Sequence, residues 1–255
     1  MSILRYNCLA IRDPYLRSVR SKVVRVEGPS LLLDRTLFFP QLSAQPYDQG
    51  QLLFDDARRA DVVEVHLRDD GIWHTLSGAQ PAPGDFVTCQ LDWPRRYFFM
   101  RSHTAAVLVS GLATTRWRCC VTSCDIREER IRLDLSCTKQ PREDVLALLK
   151  TASRLCREGG PVVCATHRCA LPRIRSPLVR SEMTKTRLDT GAVRVVRLGP
   201  KRNPIEEQYD IGTHVKDLRE IHTIRPGVRG AGAASVSDNK GRAHFRIRFH
   251  LADYD

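Results

Sequence analysis

The clearest fold signal in the chain lies in Val62-Val-Glu-Val-His-Leu-Arg-Asp-Asp-Gly-Ile-Trp-His-Thr-Leu76. Two runs rich in β-branched and aromatic residues flank Asp69-Asp70-Gly71, and this combination predicts two strands joined by a tight turn. Similar short runs lie at residues 23–26, 31–33 and 84–91, and Gly28-Pro29 separates the first two. Short strands at such spacing predict a small β-barrel in the first part of the chain.

Two helices are predicted beyond this region. Asp92-Trp-Pro94 opens the first, because proline is favoured in a first turn, and this helix should extend to about residue 113. The second begins near Pro141, with Glu143 and Asp144 in its first turn, and ends at Gly159-Gly160. Its apolar residues recur at helical spacing, which indicates a face that packs on a core: Val145, Leu148, Leu149, Ala152, Leu155 and Cys156.

Further strands are expected between and after these helices, among them residues 192–198. The last one alternates apolar residues with basic ones, so one face should pack and the other should be basic: Phe245, Ile247, Phe249 and Leu251 against Arg246, Arg248 and His250. Residues 227–241, rich in Gly, Ala and Ser, predict a flexible loop before it. The predicted fold class is α+β, with an N-terminal β-barrel domain (1–93) followed by an α+β domain (94–255).

The chain is strongly basic. It has 41 Lys and Arg against 29 Asp and Glu, a formal net charge of +12. Residues 93–124 contain five arginines and no acid, and residues 159–181 contain four arginines and no acid. Such stretches are typical of surfaces that face phosphate groups, although a solvated basic face has the same composition. The charge therefore favours a nucleic-acid partner, and DNA is not expected because no DNA-reading motif stands out.

The sequence favours a soluble, cytoplasmic protein with no membrane partner. No apolar run approaches the roughly 20 residues needed to span a bilayer, and no secretory signal follows the N-terminal charges. Nine cysteines at irregular spacings do not form an extracellular disulfide framework, so we expect reduced thiols. A faint likeness to an organellar transit peptide comes from Arg5, Arg12, Arg17, Arg20 and Lys22, but serines are few there, and we do not favour it.

The candidate metal ligands are His103, Asp210 and His214. Asp210 and His214 stand at the two ends of a five-residue stretch, and Gly212 permits this loop to curl back so that both side chains reach one ion. Two imidazoles and a carboxylate predict a Zn²⁺ site with one position open for water, which is the arrangement of hydrolytic zinc. The alternative is structural, namely a packed helix histidine and an ordinary turn.

Two cysteine-containing clusters are weaker candidates. Cys164-Ala-Thr-His167-Arg-Cys169 contains one short Cys spacing where strong zinc signals contain two, and the pair Cys120 and Cys124 is no better. No glycine-rich phosphate loop and no nucleophile elbow stand out. The residues alone therefore favour the cluster of His103 with Asp210 and His214.

Three ordered segments carry a family resemblance. Leu33-Asp-Arg-Thr-Leu-Phe-Phe-Pro40 with Ala44-Gln-Pro-Tyr-Asp-Gln-Gly50 is similar to Asp-x-Thr-x-Phe-Tyr-Pro-x-Gly-Gly-Gly-Gln-Pro-x-Asp-x-Gly. Asp92-Trp-Pro-Arg-Arg-Tyr-Phe-Phe-Met-Arg-Ser-His103-Thr-Ala is similar to a ligand-bearing helix, and Ile211-Gly-Thr-His214-Val with Arg219-Glu-Ile221 to Cys-Gly-Gly-Thr-His-Val and Glu-Ile segments. Over nearly its whole length the chain resembles the AlaX-type alanyl-tRNA editing proteins, freestanding relatives of the editing domain of alanyl-tRNA synthetase, in their longer form with an N-terminal barrel.

This resemblance implies both a fold and a function. The fold is that of the second additional domain of alanyl- and threonyl-tRNA synthetases, placed after the barrel. The function is zinc-dependent hydrolysis, in trans, of the ester that joins serine or glycine to the tRNA for alanine. The resemblance assigns the aminoacyl pocket to Thr36, Gln45, Gly212 and Thr213, the acceptor stem to Arg95, Arg96 and Arg101, and zinc to His103, Asp210 and His214.

The chain departs from the family pattern at its ligands. The family holds zinc with a His-x-x-x-His pair and a Cys-x-x-x-His pair, whereas Val107 and Asp210 occupy the second histidine and the cysteine positions here. Residues 41–44 also replace the family's glycines. Three hypotheses remain: a three-ligand zinc hydrolase, a metal-free and inactive tRNA-binding homologue, and metal-free catalysis by Asp210 with His214. We predict the hydrolase, because aspartate replaces one ligand type with another, harder one.

Overall fold

The computed structural model describes residues 3–42, 44–138, 140–168, 192–227, 234–237 and 243–252. It divides into two compact units, residues 1–100 and residues 101–255, and the division falls within the longest helix. The first unit is built mainly of strands, and the second combines helices with sheets. The predicted α+β class is confirmed.

The first unit contains a closed barrel of antiparallel strands. In chain order the strands are β1 (Ser18–Glu27), β2 (Ser30–Leu33), β3 (Gly50–Phe54), β4 (Arg59–Arg68), β5 (Gly71–Gly78) and β6 (Phe86–Leu91). Around the barrel their order is β1-β2-β5-β4-β3-β6, and β6 closes the barrel on β1. The predicted small barrel is confirmed, and β4 and β5 form the hairpin expected around Asp69-Asp70.

The interior of the barrel is filled from its strands and from the segment that joins β2 to β3. Leu31, Leu52 and Val65 are inaccessible to solvent, and so are Leu37, Phe38 and Phe39 of the joining segment. Burial of each such side chain contributes about 1.5–3 kcal/mol. Much of the segment that resembles the family signature is therefore explained by packing. A short helix, α1 (Leu9–Arg12), is tied to this segment by a hydrogen bond from Leu9 N to Thr36 O.

His74 and Thr36 form a buried hydrogen-bonded pair inside the barrel. His74 Nδ1 lies 3.4 Å from Leu31 O, and His74 Nε2 lies 2.8 Å from Thr36 Oγ1. A carbonyl oxygen only accepts, so Nδ1 carries the ring proton and Nε2 accepts from the hydroxyl. Thr36 Oγ1 in turn accepts from Phe38 N at 3.0 Å. Burial lowers the pKa of His74 from 6.5 to about 4, because a charged ring would lose its hydration.

This histidine makes the stability of the barrel depend on pH. We expect the free energy of unfolding to fall by up to about 3 kcal/mol as the pH drops from 6.5 to about 4, because only the unfolded chain protonates His74 in that window. Above pH 6.5 the contribution is fully present. Urea unfolding of the whole chain across this range measures it. His74→Gln, which does not titrate, should show a shallower fall, and equal slopes for both proteins would contradict the assignment.

A buried ion pair links the barrel to the first turn of α2 (Trp93–Trp117). The side chains of Arg96 and Asp48 are both fully buried. Arg96 Nε lies 3.0 Å from Asp48 Oδ1, and its terminal nitrogens donate to Pro14 O at 2.8 Å and to Leu37 O at 2.6 Å. The guanidinium is thus committed to interior groups, and the prediction that Arg96 contacts the acceptor stem is corrected: it is a structural residue of the barrel unit.

The second unit contains the rest of α2, the helix α3 (Arg142–Glu158) and two antiparallel sheets in its described part. Its strands are β7 (Val121–Arg127), β8 (Arg130–Leu135), β9 (Val162–Arg168), β10 (Ala192–Leu198), β11 (Glu206–Tyr209), β12 (Thr223–Pro226), β13 (Ala234–Ser237) and β14 (Ala243–Ala252). One sheet has the order β12-β14-β8-β7, with β13 also paired to β14, and the other has the order β11-β10-β9.

Both predicted helices are present, and α2 is one turn longer than expected. It continues to Trp117, whose ring packs edge-on against Phe245 of β14 with 5.6 Å between ring centroids. This tertiary contact stabilises the last turn of the helix, and the local sequence does not predict it. The helix ends where Arg118 adopts a φ of 50°, in the left-handed region that glycine usually occupies. The helix α3 matches its prediction, and Gly159 follows it with a φ of 80°.

The last strand matches its prediction, and part of the range predicted as a loop before it forms a strand instead. In β14 the side chains of Phe245, Ile247 and Phe249 are buried. Within the range 227–241, predicted as a flexible loop, residues Ala234–Ser237 form β13, because their backbone pairs with the free edge of β14 and outweighs their weak side-chain preference. Residues 228–233 and 238–241 lie outside the described residues. Among the described helices, none combines the length and the apolar character that a bilayer crossing requires.

Candidate metal centre

Three segments of the second unit bring His103, Asp210 and His214 together. His103 comes from α2, Asp210 directly follows β11, and His214 lies in the loop before the short 3-10 helix Leu218–Ile221. In the part of the chain that the structure describes, they form the one group of three or more potential metal ligands. The three ligand atoms all lie within 4.8 Å of one another. The structure thus gathers the three residues that the sequence singled out.

Asp210 is the centre of this group. Its Oδ2 lies 3.1 Å from His103 Nε2, and its Oδ1 lies 3.1 Å from His214 Nε2. The two imidazole rings are 4.8 Å apart between centroids, at an angle of 45°. The side chains of His103, Asp210 and His214 are only 7%, 12% and 1% exposed. Two nitrogen donors and one carboxylate therefore converge in a space that is largely screened from bulk water.

A buried arginine shapes the loop that carries Asp210. Arg194, on β10, is 3% exposed and donates from Nη1 to Gly212 O at 2.8 Å and to Asp210 O at 3.2 Å. Gly212 N donates to Asp210 Oδ1 at 2.5 Å, which folds the loop back on its own carboxylate. Sequence reasoning missed Arg194, because nothing in a strand of valines and arginines distinguishes an arginine whose partners lie 16 to 18 residues away.

Thr104 fixes the orientation of the second histidine. Its Oγ1 lies 3.2 Å from His214 Nδ1 and accepts a hydrogen bond from Val215 N at 3.2 Å. In a neutral imidazole only one nitrogen carries a proton. Asp210 Oδ1 accepts a hydrogen bond from the Nε2–H group of His214, so Nδ1 of His214 accepts from the Thr104 hydroxyl. Thr104 has no distinguishing sequence feature beyond its position next to His103 in the helix.

The electrostatics of the site favour the deprotonated forms of Asp210 and His214. Burial lowers the pKa of His214 to about 4, and the nearby carboxylate of Asp210 offsets this only in part. Burial by itself raises the pKa of Asp210, but His103 and His214 outweigh it through their charges and hydrogen bonds, and they hold that pKa well below its usual range. At neutral pH the group therefore contains a carboxylate and at least one neutral imidazole.

Gly212 occupies a position in the site at which a side chain does not fit. A Cβ built on Gly212 would overlap the imidazole ring of His103 at Cε1 and Nδ1. The backbone of the loop therefore passes directly against the ligand ring, and the absence of a side chain permits this approach.

We expect Gly212→Ala to lower the free energy of unfolding by about 1–3 kcal/mol and to displace His103, because the added methyl group and the ring occupy the same space. Thermal unfolding of the whole chain measures the loss. In a His103→Ala background the ring is gone, so the same substitution should cost much less. An equal cost in both backgrounds would show that the strain does not come from the ring.

The position one turn after His103 contributes no ligand. Val107 is 2% exposed and has no donor atom. The other clusters considered from the sequence do not assemble among the described residues: neither the pair Cys120 and Cys124 nor Cys164 with His167 forms a group of three ligands. Cys169 lies outside the described residues.

The residues assigned to the aminoacyl pocket fall in both units. Thr36 and Gln45 belong to the first unit, where they are 3% and 0% exposed. The hydroxyl of Thr36 is engaged with His74, as described above. Gly212 and Thr213 belong to the second unit and directly precede His214, and Thr213 is 0% exposed.

Two of the arginines assigned to the acceptor stem are partly exposed. Arg95 lies over the ring of Phe99, 4.8 Å from its centroid, and donates from Nε to Tyr47 O at 3.2 Å. Arg101 donates from Nη2 to Ile221 O at 3.3 Å. Unlike Arg96, both keep part of their side chains at the surface.

Comparison with known proteins reveals two kinds of relatives. The alanine–tRNA ligase of Pyrobaculum aerophilum is 31% identical over 85% of this chain, but the chain spans only 24% of the length of that ligase. The proteins named alanyl-tRNA editing protein AlaX-M from Saccharolobus solfataricus and Methanosarcina barkeri are 25% and 26% identical. Those two alignments cover 94% of this chain and 97% of each relative. No protein-family model matches the chain.

The two kinds of relatives differ in how much of their length they share with this chain. In the ligase, the region that aligns with this chain makes up about a quarter of the protein. The AlaX-M proteins align with this chain over nearly their whole length. His103 and His214 lie in two of the three segments that carry the family resemblance, and Asp210 directly precedes one of them. Over 94% of its length the chain is therefore similar to the proteins named alanyl-tRNA editing protein AlaX-M.

Proposed function

We propose that this protein is a trans-editing aminoacyl-tRNA deacylase that hydrolyses the ester between serine or glycine and the tRNA for alanine. The observation that carries the proposal is the convergence of His103, Asp210 and His214 in one buried group. The relatives of similar length, which are named alanyl-tRNA editing proteins, support the choice of substrate class. The basic charge of the chain fits an RNA substrate.

The chemistry of the donor set fits Zn²⁺. Imidazole nitrogen and carboxylate oxygen are both zinc ligands, and three protein ligands are typical of open, hydrolytic sites. The lowered pKa values of Asp210 and His214 keep these two side chains in the forms that bind a cation. A zinc ion held by these residues would supply a Lewis acid with a position open to water or to the ester carbonyl.

The surrounding residues hold the ligands in place before any substrate arrives. Thr104 orients the ring of His214, so that Nε2 faces Asp210. Arg194 fixes the backbone on both sides of Ile211, which limits the movement of Asp210. Partners of this kind set the orientation of a ligand, and their loss typically costs about 10–100-fold in metal affinity or activity. We infer that Thr104 and Arg194 are positioning residues.

The remaining assignments extend the proposal to the substrate. Following the resemblance, we assign Gly212 and Thr213, which directly precede His214, to the aminoacyl group. A polar group that bonds the serine hydroxyl would discriminate against alanine, because alanine would leave that group unsatisfied. Of the basic residues, Arg95 and Arg101 remain proposed contacts of the acceptor stem.

A second candidate function is tRNA binding without catalysis. The observation that favours it is the hydrogen bonding within the group, in which Asp210 accepts from both rings at 3.1 Å. Three buried polar side chains that satisfy one another are stable as a structural element. Val107 supplies no fourth ligand, which also favours a protein without catalysis. The same geometry also permits Asp210 and His214 to act together as a general base without a metal.

One experiment separates these candidates. Zinc content of the purified whole chain is measured beside deacylation of seryl-, glycyl- and alanyl-tRNA for alanine. Near-stoichiometric zinc with hydrolysis of the first two, lost on chelation and regained with added zinc, supports the proposal. Hydrolysis that survives complete removal of metal would favour metal-free catalysis by Asp210 and His214. Tight tRNA binding with neither zinc nor turnover would make this a binding protein.

A further inference from the structure

The sheet β12-β14-β8-β7 has one apolar face and one face rich in arginine. Ile131 and Leu133 of β8 are buried, as are the alternate residues Phe245, Ile247 and Phe249 of β14, so the residues between them project from the opposite side. That side, which we call the arginine face, carries six arginines and two aspartates: Arg127, Arg130, Arg132, Arg225, Arg246 and Arg248 with Asp125 and Asp134. Glu128 and Glu129 lie in the β7–β8 turn rather than on this face.

Two arginines of this face oppose each other directly. Arg132 of β8 and Arg248 of β14 are register partners in the antiparallel pair. Side chains at such positions lie about 4.5–5.5 Å apart at Cβ, and like charges there destabilise a sheet. Gly227 N donates to Arg248 O at 3.1 Å, so the backbone of Arg248 is held firmly in the sheet.

The two aspartates of the face are occupied by other arginines. Asp134 accepts from Arg246 at 2.6 and 2.9 Å. Asp125 pairs with Arg127 at 3.1 Å and lies 3.7 Å from Arg130. The side chain of Arg248 has no hydrogen bond and no ion pair with any residue in the described ranges. Its neighbour Arg132 donates to Ser123 Oγ at 3.3 Å and reaches Asp134 only at 3.9 Å.

The electrostatics at Arg248 follow from this arrangement. Burial, and then the charges of Arg246, Arg130 and Arg132, lower the pKa of its guanidinium. The positive charges on the face therefore disfavour one another, and the two carboxylates compensate them only in part.

We infer that the arginine face binds the phosphate backbone of the tRNA, with Arg248 and Arg132 as its central contacts. A phosphate between these two side chains would turn their mutual repulsion into two charge-assisted pairs, and guanidinium matches phosphate oxygens in a bidentate manner. Contacts to phosphate fix the position of an RNA and do not read its sequence. The face should therefore contribute to affinity and not to the chemical step. The identity of the RNA rests on the proposed function.

The test is Arg248→Gln in the whole chain, with deacylated tRNA for alanine as the probe. The dissociation constant should rise about tenfold, and the slope of log affinity against log salt should fall by about 1. In deacylation assays KM should rise while kcat stays unchanged. Thermal stability should stay the same or increase, because a like-charge pair has been removed. A purely structural role would instead lower stability and leave the salt slope unaltered.

The matched control is Arg154→Gln. Arg154 is an exposed residue of α3 that pairs with Glu158 at 2.5 Å, so this substitution removes the same charge away from the arginine face. It should change neither the dissociation constant nor the salt slope appreciably.

The outcomes separate this inference from the proposed function. Wild-type affinity, salt slope and KM in both Arg248→Gln and Arg132→Gln would overturn the inference and leave the deacylase proposal standing. If the protein shows no turnover but Arg248→Gln still weakens tRNA binding, the result would support tRNA binding by the arginine face and contradict the proposed deacylase function. A DNA duplex that competes as well as tRNA at equal salt would overturn the assignment to RNA.

Discussion

Replacement of His214 by alanine should lower kcat/KM for hydrolysis of seryl-tRNA for alanine on the order of 10³-fold, while the affinity for deacylated tRNA stays nearly unchanged. His214 supplies one of three donors in a group whose members lie within 4.8 Å, so its removal leaves only His103 and Asp210. Two protein ligands do not make a zinc site of the hydrolytic type. Zinc content of the purified variant should fall well below one per chain.

The control for this substitution is His66→Ala. His66 lies on β4 of the barrel, where its Nε2 is 3.0 Å from Glu64 Oε2 and its side chain is 46% exposed, so the loss of its ring should alter neither zinc content nor turnover. Wild-type turnover in His214→Ala would contradict the catalytic site itself. A parallel loss of turnover and of tRNA affinity would indicate that the loop has collapsed rather than lost a ligand.

Replacement of Arg96 by methionine should lower the free energy of unfolding by about 3–5 kcal/mol, because Asp48 would become a buried carboxylate without its cationic partner. Methionine keeps much of the apolar volume of the arginine stem, so the loss reports on the ion pair and its hydrogen bonds. Urea unfolding of the whole chain measures it. The large expected effect comes from the complete burial of both side chains, since exposed pairs contribute about 0–1 kcal/mol.

A double variant keeps this prediction testable if the single variant does not fold. Asp48→Leu combined with Arg96→Met removes both charges and should recover part of the loss. The remainder reflects Phe39 N, Pro14 O and Leu37 O, each of which loses a hydrogen-bond partner. Unchanged stability of Arg96→Met together with weaker tRNA binding would contradict the structural role and restore the role that the resemblance assigned.

The barrel was predictable because its strands carry strong local signals. The hairpin β4–β5 combines β-branched residues with a turn of Asp69-Asp70, and both strands appear where the sequence placed them. The strand β3 was missed, because Gly50-Gln-Leu-Leu-Phe54 begins with glycine and contains no β-branched residue. It is a strand because its backbone pairs with β4 and β6, and such long-range pairing has no local signature.

The residue types of the candidate site could be named from the sequence, and their support could not. His103, Asp210 and His214 are recognisable as ligand types, and the resemblance brought them into one site. Thr104 and His214 are 110 residues apart, so no spacing rule connects them. The same limit applies to Arg96 and Asp48, which meet across 48 residues. An arginine beside another arginine at the start of a helix suggested a surface, and only the fold reveals that one of the two is buried.

The ion pair of Arg96 and Asp48 also bears on how the chain matures during synthesis. The predicted domain boundary at residue 93 separates the two partners, whereas the compact unit that ends at residue 100 contains both. A nascent chain of 93 residues would already contain all six barrel strands, but Asp48 would have no cation to meet. The ion pair can therefore form only once the first turn of α2, which carries Arg96, has been added to the chain.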